Sequence, residues 1–182
     1  MCIRDSAICE QVGEVQKNSK DPVKREVTQI ITPGTVLDED FMQHNQSHAL
    51  MSIYPAGKKF GVGILNLGKQ LIEFDECLDI DELQRIVTLI EPAEIIFPEK
   101  SIQLAKTFKN VKIRPDWEYY HQTNYNIICE YFNVSNLNAF ACDDQPLVVS
   151  AIGAIIQYLA FTRQNMQMVS TIRKITHEDT IK

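Results

Sequence analysis

Between Pro146 and Phe161 the chain runs through sixteen residues without a charge, Pro-Leu-Val-Val-Ser-Ala-Ile-Gly-Ala-Ile-Ile-Gln-Tyr-Leu-Ala-Phe. A run this apolar has no face to offer to water, so it predicts a helix buried on most sides. Such a helix rises about 24 Å, short of the roughly 30 Å of a bilayer core, and Ser150 and Gln157 weaken a membrane reading further. The rest of the chain must therefore cover it. Pro146 fits the first turn, where a missing N–H is harmless, and Asp144 is the expected N-cap. Gly153 lies mid-helix at an intrinsic cost of about 1 kcal/mol relative to Ala, which points to close approach by a neighbouring element.

The covering material is legible upstream. Three strands, His48–Tyr54, Phe60–Asn66 and Gln70–Asp75, are separated by Pro55-Ala56-Gly57 and by a turn at Gly68-Lys69, the pattern of an antiparallel meander. Ile80, Leu83, Ile86, Val87 and Ile90 then recur at helical spacing, with Asp79 as N-cap and Glu82 completing a capping box. Pro92 stops that helix by pushing Glu91 out of the α region. Glu94–Phe97 is a short strand closed by Pro98, and the strand-helix-strand order makes it parallel to its partner. A short helix over Ser101–Phe108, a strand at Val111–Ile113, a helix from Trp117 to Phe132 and a packed turn at Leu137–Phe140 complete the pattern. The fold class expected is α/β, three layers around a mixed five-stranded sheet, with partial segments flanking it.

A chain of 182 residues that is 45% hydrophobic and 23% charged buries one substantial core and is not a disordered chain. Its net charge of −6 argues against a piece that holds nucleic acid chiefly through its own field. The cysteines at 2, 9, 77, 129 and 142 have no C-x-x-C spacing and an odd count, which fits a reducing compartment and a cytoplasmic location. Cys129 reads as a small buried thiol and Cys142 as a loop residue. The four histidines have no ligand spacing, and His177 reads as exposed. Tyr119, Tyr120, Tyr125 and Tyr131 read as a core-facing stripe with hydroxyls at the rim rather than a stacking platform for bases. Met1–Ser6 lacks the apolar run of a secretory signal and reads as a non-native leader.

Upstream of the meander, Ala7-Ile8-Cys9-Glu10-Gln11-Val12-Gly13 and Val23-Lys24-Arg25-Glu26-Val27-Thr28-Gln29-Ile30-Ile31-Thr32-Pro33-Gly34-Thr35 read as a turn at Gly13, a polar loop, a strand over Glu26–Ile31 and a sharp Pro33-Gly34 turn. Their wording resembles the end of the first domain of the MutS family of DNA mismatch recognition proteins. Gly61-Val62-Gly63-Ile64-Leu65-Asn66-Leu67 with Phe74-Asp75-Glu76, and Glu91-Pro92-Ala93-Glu94-Ile95-Ile96-Phe97-Pro98-Glu99, resemble the connector domain of that family. So do Arg114-Pro115-Asp116-Trp117-Glu118, Leu137-Asn138-Ala139-Phe140 and Gly153-Ala154-Ile155-Ile156-Gln157-Tyr158-Leu159, in the same order. Ile172-Arg173-Lys174-Ile175 is similar to the lead into the lever and clamp core. The likeness covers roughly 7–179. It departs at Asn66, where family hairpins carry Asp, and near Gln70, where they carry Gly; Gly68 is expected to take over that turn.

The resemblance implies a ribonuclease H-like connector over 48–165, preceded by the tail of a mismatch-recognition domain over 1–35 and a linker over 36–47 anchored by Phe41-Met42. Residues 166–182 would open the lever and core. The tail, parted from its own domain's body, is expected to pack poorly. The parent would be a DNA mismatch repair ATPase using ATP and Mg²⁺, working as a homodimer on mismatched double-stranded DNA and engaging a MutL-like protein. This stretch contains no phosphate loop, and the resemblance places the family's mismatch-reading Phe in the body of the first domain rather than in this stretch, so no cofactor, metal or catalytic residue is expected in it. Two alternatives stand beside it: a divergent paralogue's connector acting as a docking module, and a metal-dependent nuclease on the same fold. The nuclease reading needs converging carboxylates, and Asn66 stands where a strand carboxylate would serve best. Lys24, Arg25, Lys58 and Lys59 are the candidate contacts to a DNA backbone. Pro33, Gly34, Pro92, Pro98, Trp117, Asp144 and Gly153 are the candidate structural residues.

Overall fold

The computed structural model describes residues 5–11, 24–35, 49–162 and 169–175. The Gly13 turn, the 36–47 linker with Phe41-Met42, and His177 lie outside them. The meander forms as β3 (Leu50–Ala56), β4 (Lys59–Asn66) and β5 (Leu71–Cys77), after a separate hairpin of β1 (Ser6–Gln11) and β2 (Arg25–Ile31). Helix α1 (Ile80–Ile90) follows, then β6 (Glu94–Pro98), a short α2 (Ile102–Ala105), β7 (Val111–Arg114), α3 (His121–Phe132), α4 (Pro146–Phe161) and β8 (Thr171–Lys174). β3–β4–β5 are antiparallel neighbours, β6 pairs parallel with β3 from Leu50↔Glu94 onward, and β7 pairs parallel with β6. The sheet has six strands, not five, in the order β7-β6-β3-β4-β5-β8. The sixth, β8, runs parallel to β5 through Leu71↔Thr171 to Phe74↔Lys174. At four residues it is too short for periodicity to reveal, and only its partner makes it a strand.

Alternation along the strands divides the apolar residues between two cores. Leu50, Leu65, Ile72 and Phe74 join the core under α3 and α4, whereas Met51, Ile53, Val62 and Ile64 join the core with Leu83 and Ile86 of α1. The layers are therefore helix, sheet, helix. α4 is buried along nearly its whole length, as an uncharged run requires. It lies close to β4 because Gly61 and Gly63 present no side chains to it: a Cβ on Gly61 would stand 2.1 Å from the Leu147 carbonyl oxygen. That pair is a packing seat for the helix.

Several local expectations are corrected. The N-cap of α4 is Gln145, not Asp144: Pro146 is the first helical residue, and Val149 N–H donates to the Gln145 carbonyl. Trp117 does not open a long helix. Residues 116–119 form a 3₁₀ turn that buries Tyr119 against Tyr54, with ring centroids 5.6 Å apart, and turns Trp117 outward. Tyr120, the residue before α3, is 60% exposed, so the tyrosines do not form one core-facing stripe. Glu91 leaves the helix in the left-handed region at φ 46°, and Pro92 beyond it is buried.

Candidate functional site

Glu94 opens β6 with its side chain in the protein interior, 1% exposed. A buried carboxylate needs donors on both oxygens. Oε1 accepts from the Tyr158 hydroxyl of α4 at 2.8 Å and is ion-paired with Lys112 Nζ of β7 at 3.1 Å. Oε2 accepts from Thr32 Oγ1 at 2.7 Å and from the Gly34 N–H at 3.2 Å. Burial, and next the charge of Glu94, hold the Tyr158 phenol well above its ordinary value, so it remains a donor.

The donors from the tail belong to a turn that closes on itself. Thr32 N–H donates to Thr35 Oγ1 at 3.1 Å, and Thr35 N–H returns to the Thr32 carbonyl at 3.0 Å. Pro33 begins this single 3₁₀ turn, over Pro33–Thr35. Space is tight at Gly34: a Cβ there would stand 3.0 Å from Leu50 Cβ and 3.1 Å from Glu94 Oε2. A further bond, Ile30 N–H to the Thr162 carbonyl at 3.0 Å, ties the end of β2 to the end of α4. The expectation that the whole tail packs poorly is thus corrected. β1 is exposed throughout, but Thr32, Gly34 and Thr35 are buried on the sheet. Sequence reasoning missed Glu94, because a carboxylate inside an Ile-rich strand reads as an edge residue. The one available signal was its position opening a strand otherwise built from Ile-Ile-Phe.

The basic pairs fall on different sheets. Lys24 and Arg25 enter β2, where Lys24 pairs with Glu26 at 2.7 Å, while Lys58 and Lys59 sit at the β3–β4 turn, where Lys59 pairs with Glu76 at 2.8 Å. The acids converge only loosely. Asp75, Glu76, Glu82 and Asp144 line an open cleft of about 470 Å³ with Lys174. Glu76 is held by Lys59, Glu82 accepts the Leu78 N–H at 2.8 Å, and Asp75 Oδ1 accepts the Glu76 N–H at 2.9 Å. No group of three or more His, Cys, Asp or Glu among the described residues is arranged to hold a metal ion. Asn66 lies at the far end of β4, opposite Leu71, whereas Asp75 pairs with Val62. Asp143 accepts from the Tyr125 hydroxyl at 2.6 Å and from the Leu137 N–H at 3.0 Å.

A second concavity of about 480 Å³ lies between α1 and the segment after α2, lined by Gln84, Val87, Thr88, Pro92, Thr107 and Phe108 among others. Leu89 stands exposed on the same helix. Among the described residues, no helix is long and apolar enough to cross a membrane.

Comparison with known families supplies two matches. Residues 48–173 match the model of MutS domain II, and residues 5–40 match that of MutS domain I. The boundary between the two matches falls between the Thr32–Thr35 turn and β3, so the contacts of Glu94 with that turn join one matched region to the other.

Proposed function

Because the chain belongs to the MutS family, we propose that it serves as the non-catalytic connector of a DNA mismatch repair protein, passing the position of the mismatch-reading domain on to the rest of the molecule. The observation that carries this reading is the Glu94 joint, which seats the end of the domain I match on the sheet of domain II. A relay of this kind needs a defined contact, with discrete arrangements, where the chain passes from one domain to the next. In the parent protein, ATP with Mg²⁺, mismatched duplex DNA, a homodimer mate and a MutL-like protein are the expected ligands and partners. Reading a mismatch takes a side chain wedged into the base stack. Titration of matched and mismatched duplexes at moderate salt tests the division of labour: equal, weak binding by this chain is expected, and a several-fold preference for the mismatch overturns it.

The second reading, a docking module for a MutL-like protein, is favoured by the concavity beside α1 and the exposed Leu89. Binding of such a protein to the chain, lost on Leu89→Asp and kept on Leu78→Asp, would support it.

A further inference from the structure

We propose that Glu94 acts as a latch for the Thr32–Thr35 turn, a local two-state joint that can open without unfolding the sheet. Its four donors divide between the sheet and the tail. The sheet side supplies the positive charge: Lys112 of β7 and the Tyr158 hydroxyl of α4 both reach Oε1, and neither belongs to the tail. The turn supplies only neutral groups to the carboxylate, the Thr32 hydroxyl and the Gly34 N–H, both on Oε2, while Asp5 ahead of β1 is ion-paired with Lys112. Lifting the turn away therefore strands no buried charge: Asp5, its side chain 46% exposed, passes to water, and Glu94 keeps Lys112 as its counter-ion. The turn also carries its own closure, since the Thr32 and Thr35 hydroxyls lie 2.9 Å apart and the Thr35 N–H is bonded within the turn. It can leave as a formed unit. The Ile30–Thr162 backbone bond and the Lys112–Asp5 ion pair also tether the tail. Lys112, whose side chain is 30% exposed and also meets Asp5, reaches the solvent edge of the joint, so water has a short path to Oε2 on opening.

The consequence for relaying domain position rests on the connector reading; the latch itself does not, and is measured on this chain alone. Hydrogen exchange of the 182-residue chain and of Thr32→Val is the test. Removing one hydroxyl donor to a buried carboxylate is expected to speed exchange at Ile30 and Gly34, whose N–H groups bond across the joint, about tenfold or more, with Ile53 and Val62 in the sheet unchanged. Thr28→Val removes a hydroxyl that bonds only the neighbouring Ile8 carbonyl of the hairpin, and should leave 30–35 as in the parent chain. Unchanged exchange at 30–35 in Thr32→Val, or equal acceleration in the sheet, overturns the latch. Either result leaves the family reading intact.

Discussion

Gly153 of α4 and Asn124 of α3 occupy adjoining space with no room for a methyl group between them: a Cβ on Gly153 would stand 2.2 Å from Asn124 Cγ and 2.3 Å from its Cβ. Asn124 cannot step aside. Its Nδ2 donates to the Glu118 carbonyl at 2.9 Å and the Ser150 carbonyl at 3.0 Å, and its Oδ1 accepts from Gln157 Nε2 at 2.7 Å. Gly153→Ala and Gly153→Leu are each expected to cost about 3 kcal/mol or more, combining overpacking with broken buried hydrogen bonds. Urea unfolding checks this against Gly57→Asn. Gly57 has φ +65° and nothing within 4 Å of its would-be Cβ, so Asn, which tolerates the left-handed region, should cost no more than about 1 kcal/mol there.

The β4–β5 turn gives a test of backbone strain. Gln70, not Gly68, takes the left-handed conformation, at φ 52°, and its N–H donates to the Leu67 carbonyl at 3.1 Å. Gln70→Gly should therefore stabilise the chain by up to about 1 kcal/mol, after the greater freedom of glycine in the unfolded chain is subtracted. Asn66 Oδ1 accepts the Lys69 N–H at 3.0 Å. Asp keeps an acceptor at that position, so Asn66→Asp should be nearly neutral, and Asn66→Ala should lose about 1 kcal/mol.

Thiol chemistry should separate the cysteines. Burial, and next the charge of Glu82, push Cys77 up to about 12 from an ordinary 9.0, and burial with Asp143 pushes Cys142 up to about 11. A thiol reagent at pH 8 should modify exposed Cys9 quickly and reach Cys77 and Cys142 only through unfolding. The folded values lie above the unfolded ones, so their contribution to stability is complete below about pH 9. It is lost as pH rises through the window up to about 11 and 12, and urea midpoints measured across that range should fall.

Much of the fold was legible because its signals are periodic. The meander, the capped α1 and the apolar α4 each follow from a spacing of residues, and the ordered wording from Gly61 to Leu159 carried the family. What could not be read depended on partners distant in sequence. β8 becomes a strand only by meeting β5 about a hundred residues earlier. Trp117 is exposed because Tyr119, two residues on, is drawn into the core beside Tyr54, while Arg114 grips Glu118 at 2.9 Å and 2.5 Å. The Glu94 joint belongs to this second kind, since its donors come from positions 32, 34, 112 and 158.

That joint is tested most directly by a double-mutant cycle between Thr32→Val and Tyr158→Phe, read by urea unfolding of the chain. Thr32 reaches Oε2 from the tail and Tyr158 reaches Oε1 from α4, and the two side chains communicate through one carboxylate. Members of a shared buried network depart from additivity by about 0.5–3 kcal/mol, whereas independent sites add within about 0.3–0.5 kcal/mol. A coupling of about 1 kcal/mol is the predicted result, and strict additivity would contradict the claim that Glu94 joins the tail to the connector.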